Sequence, residues 1–127
     1  LNYQPGSAEA FEAEWARCSA WLEAALDHAL GAYGLTDVKA RVMNRTARFW
    51  AGSGAAAVTV IERHANFPTL SIWLAGGDLE ELRGEMLPQM EAYGREQGCR
   101  LVTIIGRKGW SRALDYKPLY HVCAKEL

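Results

Sequence analysis

Gly76-Gly77-Asp78 is where residue types and spacing in this sequence best suit chemistry. The apolar run Thr69–Ala75 stops there, and the chain restarts as the acidic, helix-like segment Asp78–Leu82. A strand that turns through glycines into a helix N-terminus presents free backbone N–H groups, and such groups hold anions. The charges oppose that use. Asp78, Glu80 and Glu81 fall in the first helical turn, and each carboxylate about 5 Å from a diphosphate would oppose it by roughly 3 kcal/mol at an effective dielectric of about 20. Repulsion of that size offsets much of a micromolar affinity, itself about 8 kcal/mol.

The remaining reactive side chains are scattered. His28, His64 and His121 have no partner visible in the sequence and read as structural residues. Cys18, Cys99 and Cys123 are widely spaced in apolar surroundings and lack zinc-ligand spacing, so they read as core thiols of a reducing compartment, and no metal site is expected. Arg107, Lys108 and Arg112 surround Trp110 in the chain's basic-aromatic cluster. Such a cluster grips phosphate or stacks a base only weakly and in a salt-sensitive way, and it equally suits an acidic protein surface. Five Trp and five Tyr in 127 residues supply either interface anchors beside these arginines or a Trp-rich core. Arg107, Lys108, Trp110 and Arg112 are therefore the expected protein-binding residues.

Composition bounds the possibilities. A chain of 127 residues, 50% hydrophobic, is expected to form a single domain over residues 1–127 with one real core. Fourteen basic and fifteen acidic residues, net −1, give no global field to draw in nucleic acid or an anionic membrane. Apolar stretches fall well short of the roughly 20 residues of a membrane span, and no secretory leader is expected.

These residues need a scaffold, and the periodicities outline one. Ser7 is placed to cap a helix whose apolar face is Phe11, Trp15, Cys18, Leu22, Leu26 and Leu30. Gly31 and Gly34 end it, and a shorter helix runs from Thr36-Asp37 to about Asn44. The period then changes to that of strands: Ala47–Trp50 and Ala56–His64, joined by Gly52-Ser53-Gly54, and Leu70–Ala75, together a three-strand antiparallel meander. In the second strand Val58, Val60 and Glu62 share one face, and Thr59, Ile61 and Arg63 the other. Asp78 and Glu81 have the spacing of a capping box for a long helix over Leu79–Gln97. Pro88 predicts a kink or break there, because it leaves the Gly84 carbonyl without its donor. Gly98 stops the helix. A strand at Leu101–Ile105, a short helix at Gly109–Leu114 and a last strand at Leu119–Lys125 complete the order.

This order of elements resembles the GCN5-related N-acetyltransferase (GNAT) fold. The resemblance implies an α/β domain with a mixed, mostly antiparallel sheet, two N-terminal helices and a long helix after the third strand of the meander. It also implies that Leu70–Ala75 splays from Leu101–Ile105 to admit acetyl-CoA, with Gly76 and Gly77 at the pyrophosphate and Glu62 as general base. The family's Arg/Gln-x-x-Gly-x-Gly/Ala loop does not occur between Leu74 and Leu82. Ile105-Gly106-Arg107 and Gly109-Trp110-Ser111 stand where the family often has an Asn and an acid Tyr, and Tyr116 falls nearer the family's terminal Gly-Phe turn.

A narrower resemblance spans about Ala47 to Leu127. The combination AAAVTVIERHANFPTLSIWLAGGDLEEL, a helix ending QGC, then GRKGW and a terminal KEL, is similar to small bacteriophage proteins of acetyltransferase-like fold. It implies a phage-encoded, non-catalytic virion or assembly component without a cofactor, found in the virion or the host cytoplasm. Its partners would be other virion proteins or identical copies, with no membrane and no nucleic acid. An acyl-CoA-dependent N-acetyltransferase and a small inhibitor or modifier of a host protein are the alternatives.

Overall fold

The computed structural model describes residues 3–27, 31–105, 112–120 and 122–127. Along the chain come helices α1 (Ala8–Leu26) and α2 (Leu35–Met43), then strands β1 (Arg48–Ala51), β2 (Ala55–Arg63) and β3 (Pro68–Gly77). Helix α3 (Leu79–Glu81), a π-helical segment (Leu82–Met86), helix α4 (Leu87–Glu96) and strand β4 (Leu101–Ile104) follow. The sheet order is β1-β2-β3-β4, antiparallel except for the parallel β3/β4 pair. Among the described residues the expected α/β architecture is therefore present, including the meander and the helical run after its third strand.

Both faces of β2 are apolar because both are covered. Ala55 and Ala57 pack with Trp50, Leu70, Met86 and Met90 under α4, while Ala56 and Val58 pack with Trp15, Leu22, Phe49 and Leu74 under α1. The run of small residues lets the two helical layers approach the sheet closely. Opposite the step from Val58 to Thr59 the register slips, since Val58 pairs with Leu74 and Thr59 with Ile72. Trp73 is the extra residue of this bulge. It reverses the facing of β3: Leu70 and Ile72 face α4, Trp73 and Leu74 both face α1, and Ala75 faces α4 again.

Pro88 acts upstream of its own position. Having no N–H, it cannot bond to the Gly84 carbonyl, and the chain accommodates this before the proline, where the Leu87 N–H reaches the carbonyl of Leu82 in a wider turn. The helix is thus neither stopped nor broken at Pro88. Leu82, Met86, Leu87 and Met90 all remain buried.

Three expectations need correction. Gly76 and Gly77 are the last paired residues of β3, opposite Ala56 and Ala55, so the strand runs past Ala75 and the turn begins at Asp78. The described residues of Leu119–Lys125 form no strand. Leu119, Tyr120 and Val122 are exposed, and apolar alternation without a neighbouring strand leaves the backbone nothing to pair with. Lastly, the lead-in is part of the core: Tyr3 is 2% exposed and its carbonyl accepts the Ala51 N–H at 2.9 Å. Leu30 and the first half of the short helix expected at Gly109–Leu114 lie outside the described residues, and Arg112 and Ala113 of its second half are helical.

Candidate functional site: the glycine turn between β3 and α3

Each glycine at the end of β3 is required by a close neighbour. A Cβ on Gly76 would sit 2.6 Å from the Trp21 carbonyl oxygen of α1. Gly77 has φ +100°, and a Cβ there would sit 2.6 Å from the Ala55 Cα. The glycines therefore let the end of β3 press between α1 and the start of β2. The backbone donors next to them are engaged: the Asp78 N–H bonds to the Gly54 carbonyl at 2.8 Å, and the Glu80 N–H to the Asp78 carboxylate at 3.1 Å.

Glu81 departs from the expected capping box. Asp78 caps the helix, but the Glu81 side chain turns away into the β1–β2 turn. Its carboxylate accepts the Ser53 N–H at 2.8 Å, the Gly54 N–H at 2.7 Å and the Ser53 hydroxyl at 3.1 Å. On the other side of that turn the Arg17 guanidinium donates to the Gly52 and Ser53 carbonyls at 2.6 and 2.9 Å. A buried carboxylate takes the turn's N–H groups and an arginine takes its carbonyls. Burial alone would raise the Glu81 carboxyl, but the N–H bonds from Gly54 and Ser53, the Ser53 hydroxyl and the Arg17 charge outweigh it and hold it below its ordinary range. Glu81 stands ionised beneath the turn.

The other residues singled out by the sequence do not converge here. Glu62 pairs with Thr69, whereas Gly76 pairs with Ala56 near the opposite end of β2. At about 3.3 Å per residue, the stretch from Thr69 to Gly76 separates a base at Glu62 from the glycines by roughly 20 Å. The Glu62 carboxylate is half exposed and lies 3.8 Å from His64 Nε2. Arg112 is exposed, and Arg107, Lys108 and Trp110, like His28 and His121, lie outside the described residues. Of the three thiols only Cys18 is fully buried; Cys99 is half-buried and Cys123 exposed, so the core reading holds for one. Burial raises the Cys18 and Cys99 thiols and leaves them poor nucleophiles. Tyr116 donates to Glu91 at 2.8 Å, and burial together with that bond raises its phenol. Among the described residues no group of His, Cys, Asp and Glu could hold a metal ion.

Trp15 and Trp50 are buried in the two cores, with Trp21 of α1 and Trp73 of β3 half-buried against the α1-side core. These four follow the core reading of the aromatics. The Trp50 indole also donates to Thr59 Oγ1 at 2.9 Å.

One feature of a splayed sheet is present. β4 pairs with β3 only from Thr69 to Ile72, so among the described residues Leu74–Gly77 are paired on the β2 side alone. The same architecture occurs in a crystal structure of an aminoglycoside acetyltransferase from an uncultured soil metagenomic sample, in complex with sisomicin. The TM-score is 0.59 at 14% sequence identity, over 95% of this chain and 90% of that one. The fold is GNAT-like. No protein-family model matches the chain, and no curated protein matches it significantly.

Sequence reasoning missed two groups of residues. Arg17 looked like an ordinary surface charge of a helix and Glu81 like a capping residue, and nothing in the sequence links either to Gly52-Ser53-Gly54. Arg41, Arg45 and Arg48 did carry a signal. Between Asp37 and Glu62 the chain holds no acidic residue at all, and these arginines line one groove together with Arg63.

Proposed function

We propose that this chain is a GNAT-like domain that works by binding protein partners, as a phage virion or assembly component, and not as an acyltransferase. The observation that carries the reading is the buried Glu81 carboxylate, which leaves the helix start after Gly76-Gly77 to hold the Ser53 and Gly54 N–H groups of the β1–β2 turn. A diphosphate at Gly76-Gly77 fits these residues poorly. Both glycine faces are filled by protein, the Asp78 and Glu80 N–H groups are engaged, and Asp78, Glu80 and Glu81 oppose negative charge. The turn that resembles an acyl-CoA loop is on this reading a structural clamp. The phage assignment is supported by the sequence resemblance over Ala47–Leu127, and partners would be other virion proteins or identical copies held at Arg107, Lys108, Trp110 and Arg112.

An acetyl-CoA-dependent N-acetyltransferase is the second reading. It is favoured by the unpaired side of β3 at Leu74–Gly77, the place where the fold's relatives admit acyl-CoA. Mass spectrometry of purified particles tests the virion role. A fixed copy number per particle is the expected result, and absence from particles that carry the gene would overturn it.

A further inference from the structure

Around the β1 edge of the sheet runs a groove of about 900 Å³ lined by Arg41, Arg45, Arg48 and Arg63 and by no carboxylate. Arg41 and Arg45 come from the end of α2 and the turn after it, Arg48 opens β1, and Arg63 ends β2. None of the four takes part in an ion pair among the described residues. The groove wraps the edge: Arg48 lies on the α4 side with Trp50 and Tyr93, and Arg41 on the α1 side with Trp73, and the lining carries four positive charges in a chain of net −1.

Two of them are already oriented. The Arg48 guanidinium lies over Tyr93 and Trp50, at 4.3 and 5.2 Å from the ring centroids, and Arg41 lies 5.1 Å over Trp73. Stacking fixes the guanidinium plane; Arg41 Nε donates to Thr46 Oγ1 at 3.3 Å, which leaves its terminal NH2 groups for an acceptor. The buried Arg48 Nε has no hydrogen-bond partner in the protein.

Arg45 is held at a cost. It follows the C-cap Asn44 with φ +65°, the left-handed position that helix ends usually give to glycine. The turn is fixed by the Thr46 and Ala47 N–H groups on the Arg41 carbonyl, at 2.9 and 3.0 Å, and by Asn44 Oδ1, which accepts the Thr46 N–H at 3.1 Å. A side chain kept where glycine would be cheaper points to a use for that side chain.

We propose that this groove binds a nucleotide-sized organic polyphosphate. Its volume lies in the range of small-molecule sites. Guanidinium forks match phosphate oxygens bidentately, and a nucleotide-sized polyphosphate carries several negative charges along its length, which suits arginines spread along one groove without a carboxylate. An acidic peptide spreads its carboxylates more thinly. The groove is distinct from the glycine turn, and the inference does not depend on the reading of that turn.

Isothermal titration of the intact chain with ATP and with inorganic tripolyphosphate, without magnesium, tests it. Both ligands should bind saturably at one site. Arg45→Gly, whose glycine suits the backbone, and Arg48→Gln should each weaken binding at least tenfold while the circular dichroism spectrum stays unchanged. Lys117→Gln, outside the groove, should bind as the parent does. Absence of saturable ATP binding, parent-like affinity in either arginine variant, or tighter binding of a glutamate decapeptide than of tripolyphosphate would overturn the proposal.

Discussion

Replacing Glu81 with Gln keeps the shape of the side chain and removes its charge. The carboxylate accepts three donors from Ser53 and Gly54, and a bond to a charged group contributes about 1.5–3 kcal/mol. A glutamine retains one oxygen, so one backbone N–H keeps a neutral partner. The other then faces the amide NH2 and is left as an unsatisfied donor in a part-buried turn, at a cost of about 1–3 kcal/mol. Together these give a loss of roughly 3 kcal/mol at pH 7, or roughly 10 °C in Tm for a domain of this size. The pH dependence follows from the direction of the shift. The folded-state pKa of Glu81 is lowered from 4.5, so its contribution is complete above the unfolded value and fades as pH falls through the folded one. Urea unfolding of parent and variant at pH 7 and pH 3 reads both effects. The gap between the two proteins should be widest at pH 7 and shrink at pH 3. A gap below about 0.5 kcal/mol at pH 7, where a lost charged bond should cost more, or one equally wide at both pH values, would refute the clamp.

Other substitutions probe neighbouring parts of the account. Asp78→Ala should cost about 1 kcal/mol through loss of the helix cap, and Gly77→Val considerably more, because φ is +100° and Ala55 occupies the space; unchanged melting temperatures would remove the turn from the stability argument. Arg45→Gly should stabilise the domain by about 0.5–1 kcal/mol in thermal unfolding, since it relieves a left-handed residue, and a destabilised variant would show that the arginine serves the fold. Trp110→Ala and Arg107→Ala should weaken incorporation into particles while the isolated domain stays folded. Normal incorporation of both would remove that face as the anchor.

The framework was legible because it is written in local periodicity. Phe11, Trp15, Cys18, Leu22 and Leu26 trace α1 at helical steps, and β2 alternates cleanly, with Ala55 and Ala57 on one face and Ala56 and Val58 on the other. The limits of β3 were not legible. Glycines that end a strand and glycines that make a turn look alike in sequence, and only the closeness of Trp21 and Ala55 tells which they are. For the same reason Glu81 read as a capping residue, its true partners lying across the sheet at Ser53 and Gly54. The last strand failed in the opposite direction. Leu119, Tyr120 and Val122 have the pattern, but a strand is completed by its neighbour. Arg45 was hidden because nothing in the residue type announces a left-handed backbone.

The glycine end of β3 and the helix start after it are read as a structural junction, with Glu81 clamping the β1–β2 turn beside it, and not as a pyrophosphate site. Titrating acetyl-CoA into isotope-labelled protein, and following the amide signals of Gly76, Gly77 and Asp78 by NMR, tests it most directly. Because acetyl-CoA itself carries phosphates, shifts confined to Arg45 and Arg48 would report on the arginine groove and leave the claim standing. The three signals at Gly76, Gly77 and Asp78 should stay in place. Saturating shifts at the turn with a dissociation constant below about 10 µM, some 7 kcal/mol of binding, would contradict it and favour the acyltransferase.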